Sequence, residues 1–135
     1  MSPASVDIKD VLVENGVGKF VARRGWGIYV AQQPAEPDNV ITIYDAPGRQ
    51  ESDQSRGTWV SFVRVFVRVR AQDYLDGFRK MQEILSILKV KDRFEKNDTE
   101  YLSLRDWSAI EPDRMDDKER WEWILNFEAV TTPAQ

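Results

Sequence analysis

Two aspartates stand where strand ends would present carboxylates: Asp45 closes VITIYD and Asp106 closes YLSLRD. Such a pair can act as general acid and base, or hold a divalent metal for hydrolysis. Nothing in the spacing requires that chemistry. Asp45 also opens D-x-P-G, in which an aspartate bonds nearby backbone and a glycine supplies positive φ, so Asp45, Pro47 and Gly48 are expected to form a turn. The densest acidic group, Asp113, Asp116, Asp117 and Glu119, lacks the glycine and terminal glutamate of a calcium loop and reads as a solvated turn. GVGKF at 16–20 has Phe20 where a phosphate loop needs Ser or Thr.

The residue inventory removes most other chemistry. Cysteine and histidine are both absent, which excludes thiolate nucleophiles, disulfides, serine-histidine triads and imidazole metal sites. No cofactor is expected. The net charge of −4 and pI near 4.9 provide no overall basic field for nucleic acid. A local alternative stands on residues 62–70, where Phe62, Arg64, Phe66, Arg68 and Arg70 share one strand face, a composition found on single-strand nucleic-acid platforms. Glu122 and Glu128 on a neighbouring strand could equally satisfy those arginines.

The elements that must position these residues follow from periodicity. A short helix is expected at about 5–15, capped by Ser5 and ended by Gly16. Strands follow in GIYVAQQP, in 40–45 and in 58–70, where Val63, Val65, Val67 and Val69 occupy one face. Tyr74, Leu75, Phe78, Met81, Leu85 and Leu88 recur at helical spacing over 72–89. YLSLRDW and WEWILNFEAV complete the pattern, separated by a polar turn EPDRMDDKE. The stretch 46–57 has no apolar periodicity and reads as a long polar loop. The expected fold is a single α+β domain over residues 1–135, with one mixed, largely antiparallel sheet, two helices packed on it and element order α-β-β-β-α-β-β. Five tryptophans, Trp26, Trp59, Trp107, Trp121 and Trp123, exceed the needs of so small a core and favour an interface-forming protein. The N-terminus lacks a signal-peptide pattern and no long apolar run is present, so a soluble, unexported chain without membrane contact is expected.

PAEPDNVITIYDAPGRQ, followed by WVSFVRVFVRVRAQDYLDGFRKMQEILSIL, resembles the tail terminator family of long-tailed bacteriophages, also labelled minor capsid or head-tail joining proteins. LRDWSAIEPDRMDDKERWEWILNFEAV is similar to that family's final pair of strands, although EPDRMDDKERWEW departs from the commoner glycine-containing turn. The resemblance spans about residues 5–131. It implies a non-enzymatic structural protein forming a ring, usually hexameric, that caps the tail tube, ends its polymerisation and joins the tail to the head. The implied partners are further copies of the chain, the tail tube protein and a head-completion protein, with DNA only passing through the lumen. The implied location is the head-proximal end of the virion tail, with assembly in the host cytoplasm. Arg49, Glu51, Asp53 and Arg56 offer both charge signs to a neighbour and are the expected interface residues.

Overall fold

The computed structural model describes residues 2–20, 25–53, 58–89, 91 and 93–134. Along the chain lie α1 (Ala4–Glu14), β1 (Lys19–Phe20), β2 (Gly27–Val30), β3 (Val40–Asp53), β4 (Thr58–Ala71), α2 (Tyr74–Lys89), β5 (Phe94–Lys96), β6 (Thr99–Asp106), β7 (Glu111–Met115) and β8 (Trp121–Pro133). The strands form one sheet in the order β1-β2-β3-β4-β8-β6-β5, with β7 also paired to β8. β1 with β2 and β2 with β3 are parallel, and every other pair is antiparallel. This is the α+β fold with a mixed, largely antiparallel sheet expected from the sequence, but the expected order α-β-β-β-α-β-β is corrected: four strands precede α2 and four follow it among the described residues, the short β1 and β5 and the exposed β7 being the additions.

Period-two alternation places the core. Val65, Val67 and Val69 of β4 and Trp123, Leu125 and Phe127 of β8 are buried in one cluster with Ile8 and Leu12 of α1 and Met81, Ile84 and Leu88 of α2. Both helices therefore contribute to the core on the valine face. In α2 the buried stripe is Gly77, Met81, Ile84 and Leu88, while Tyr74 and Leu75 remain exposed. No helix among the described residues is long and apolar enough to cross a membrane.

Local expectations are corrected at several points. Ser5 does not cap α1, because Pro3 flanks the helix and Ser5 lies in its first turn. Gly16, at φ +73, follows the helix in the left-handed conformation. β2, at four residues, is close to the strand of about five expected in GIYVAQQP, but it is ended by Ala31 at φ +68 and not by Pro34. EPDRM, expected as part of a turn, is β7, paired from Glu111↔Ile124 to Met115↔Trp121. Its residues are all exposed, so no apolar alternation marked it, and strand geometry comes from pairing with the edge of β8.

The largest correction concerns 46–57. Residues 46–53 are not loop: they continue β3 and pair with β4 as far as Asp53↔Thr58. The D-x-P-G turn is likewise absent. Asp45 lies within β3 opposite Val65, and the register shifts between Ala46 and Arg49, so Pro47 and Gly48 form a β-bulge. Gly48 is required there, because a Cβ would lie 2.1 Å from the carbonyl oxygen of Phe62.

Buried polar contacts tie α1 to the far side of the sheet. Tyr101 Oη donates to Asp7 Oδ2 at 2.5 Å and Asn97 Nδ2 donates to Asp7 Oδ1 at 2.7 Å. Burial raises the Asp7 pKa despite these donors.

Candidate assembly interface

The hairpin of β3 and β4 has a root and an arm. At the root, β2 covers only Val40–Ile43 of β3, and β8 covers β4 from Ser61 to Ala71. From Gln50 to Asp53 on one strand and Thr58 to Val60 on the other, the two strands have only each other as pairing partners among the described residues. Such a two-stranded extension presents unpaired backbone edges to a neighbouring molecule.

Arg49 stacks its guanidinium over Phe62 at 4.0 Å and contacts Glu51, and both charged side chains are more than half exposed. Trp59 is 56% exposed, and its carbonyl accepts from Thr132 Oγ1 at 3.1 Å, anchoring the base of the arm to β8. Asp53 is described only in its backbone, and Arg56 lies outside the described residues. Of the four expected interface residues, Arg49 thus stands at the base of the arm, opposite Phe62, and Glu51 lies on the arm itself.

The carboxylates considered for catalysis are held apart. Asp45, Val65, Phe127 and Asp106 form one row across β3, β4, β8 and β6, which separates the two aspartates by three strand spacings, roughly 14 Å. Asp45 instead accepts from Ser5 N at 3.0 Å and Ser5 Oγ at 2.5 Å, fixing the first turn of α1 to the sheet. Among the described residues no group of three or more acidic side chains gathers to hold a metal.

The face opposite the helices carries the arginines, and each of the three that could form a cationic platform is engaged internally. Arg64 lies opposite Glu128 in register, with Nε to Oε2 at 3.5 Å, and over the ring of Trp107 at 5.4 Å. Arg68 donates to Glu122 at 2.9 Å and contacts Asp113. Burial opposes the charge of Arg68, but the bonds to Glu122 and Asp113 outweigh it and raise its pKa. Arg114 donates to the other oxygen of Glu122 at 3.1 Å, so a fully buried carboxylate is shared by two guanidinium groups. Arg70 donates to the carbonyls of Pro34 at 2.7 Å, Ala35 at 3.4 Å, Pro37 at 2.5 Å and Asp38 at 3.2 Å. Burial and neighbouring Arg120 lower the Arg70 pKa. Arg120 donates to Ala35 O at 2.6 Å and to Asp116 Oδ2 at 2.8 Å, closing the same loop from the other side.

Residues 9–133 match the family model described as bacteriophage tail terminator protein. The chain belongs to this family. It is therefore a structural component of a phage tail and of the virion. No curated protein matches the sequence. Among solved structures, a chain of the virion of a native gene transfer agent particle is similar at a TM-score of 0.58 and 13% identity, over 78% of each chain, which supports the fold.

Proposed function

We propose that this tail terminator family member assembles into a closed ring, a hexamer, that caps the finished tail tube, ends its polymerisation and joins tail to head. It works by binding rather than catalysis. The observation that carries this reading is the arm. A closed ring needs two different, complementary patches on each subunit, and a two-stranded arm extending past β2 and β8 can meet a surface on its neighbour other than itself. The tail tube protein and a head-completion protein are the proposed partners, DNA passes only through the lumen, and the ring sits at the head-proximal end of the tail after assembly in the host cytoplasm.

Internal engagement of Arg64, Arg68 and Arg70 weighs against the single-strand nucleic-acid alternative. The separation of Asp45 from Asp106 weighs against a metal-dependent hydrolase.

Arg49 and Arg56 are the proposed pairing residues, with Glu51 and Asp53 as their counterparts. Each exposed pair contributes only about 0 to 1 kcal/mol, but repetition around a ring multiplies the effect. Tails assembled with Arg49→Glu/Arg56→Glu should have tubes of uncontrolled length. Normal tube length with this variant removes the arginines from the mechanism, and normal tubes without the protein contradict the terminator reading.

A further inference from the structure

The end of the sheet away from the arm has a different character. Tyr74 and Leu75 open α2 and are 40% and 52% exposed, and Met115 at the end of β7 is 49% exposed. Met115 lies opposite Trp121 in register, and the Tyr74 ring meets Trp121 edge-on at 5.0 Å and Trp123 at 4.8 Å. Phe78 continues the surface at 5.1 Å from Trp123. Trp123 is fixed by its Nε1 donating to Tyr74 O at 3.2 Å. The result is an apolar shelf of rings packed on the fixed Trp123, with Met115 in register beside Trp121 and Leu75 next to Tyr74 in sequence, so little ordering of those rings would oppose a partner docking there.

Charge identifies the kind of partner. Segments 73–79 and 111–121, which carry this shelf, hold seven carboxylates and four cations, so three of the four excess negative charges of the chain lie here. Asp113 contacts Arg68 and Asp116 holds Arg120, whereas Asp117 and Glu119, in the turn that follows Met115, have no ion pair among the described residues. The stretch 46–57 contains two arginines and two carboxylates, so the arm of a second copy offers no net positive charge to match.

We propose that the shelf of Tyr74, Leu75, Met115 and Trp121 docks a cationic segment of another protein that inserts an apolar anchor. This contact is separate from the arm and does not depend on the ring reading. Complementary charge guides the approach and sets its salt dependence, while the rings supply the buried contact.

The probes are three synthetic peptides of equal length, Lys/Leu, Lys/Ser and Glu/Leu, titrated into the intact protein and followed by amide and indole NMR shifts. The Lys/Leu peptide should saturate with shifts centred on Tyr74, Leu75, Met115 and Trp121, and should weaken as salt rises. Leu75→Lys and Met115→Lys, both at half-exposed positions, should each lower its affinity about tenfold or more, without altering the native mass of the assembly. Equal binding of Lys/Ser, binding of Glu/Leu, or unchanged affinity in both variants overturns the proposal. Concentration-dependent shifts of the same residues without peptide would assign the shelf to a second copy and also overturn it. Peptide binding by a protein that never forms a ring would sustain this inference and remove the ring.

Discussion

The root and the arm of the β3–β4 hairpin are one continuous pair of strands with opposite surroundings. At the root, Val65, Val67 and Val69 are buried in the helix-side core, and the opposite face is closed by Arg68, Glu122 and Arg114. From the base of the arm outward, Arg49, Gln50 and Glu51 are exposed, and the strands hold each other through backbone pairing and contacts such as Gln50 Nε2 to Ser61 Oγ at 3.3 Å. The root carries stability, because burial is the large favourable term. The arm contributes little to stability and is free to contribute to assembly.

The first way to break this contrast is to place the same charge in both halves. Val65→Asp buries a carboxylate in a fully packed site and should cost more than about 3 kcal/mol, enough to unfold the domain. Val60→Asp on the arm, where the side chain is only half-buried, should cost under about 1 kcal/mol. Thermal melts of the two variants check this, and equal melting would show that the arm shares the core.

A smaller effect is expected at Arg70, which is 2% exposed. Arg70→Met leaves the carbonyls of the 34–38 loop without their donor and should cost about 2 to 3 kcal/mol in urea unfolding. Wild-type stability in this variant would mean that the loop finds other donors, and that the root's open face is held mainly by Glu122.

Next comes Gly48, at the boundary of the two halves. Gly48→Ala forces a Cβ against the Phe62 carbonyl and should cost about 1 to 3 kcal/mol. Hydrogen exchange should show the loss concentrated in the amides of 49–53 and 59–62, with the amides of 65–69 still protected. Uniform loss across both groups would make the arm and root one cooperative unit.

The same contrast explains what was legible in the sequence. Alternating valines at 63–69 and alternating large apolar residues at 121–127 specify their strands and their buried face, because burial imposes period two. GRQE and EPDRM are exposed, so they carry no such pattern, and pairing with β4 or β8 alone makes them strands. The partner of Asp45 is Ser5, forty residues away, which no local turn signature can reveal. The clamp on the 34–38 loop had a faint signal: PAEP contains two prolines without N–H groups, so nearby carbonyls need donors from elsewhere, and Arg70 supplies them. Tyr74 and Leu75 fitted the helical period but lie outside the buried stripe, since periodicity gives a face only to within its edges.

The central claim is that the arm builds the ring, and native mass spectrometry of the wild-type chain beside Arg49→Glu/Arg56→Glu, each alone and with tail tube protein, tests it most directly. The wild type should give one closed oligomer, a hexamer, while the double reversal shifts toward monomer with a melting temperature nearly unchanged. A wild type that stays monomeric even with tail tube protein, or a double reversal that forms the same ring at the same concentration, would contradict the account.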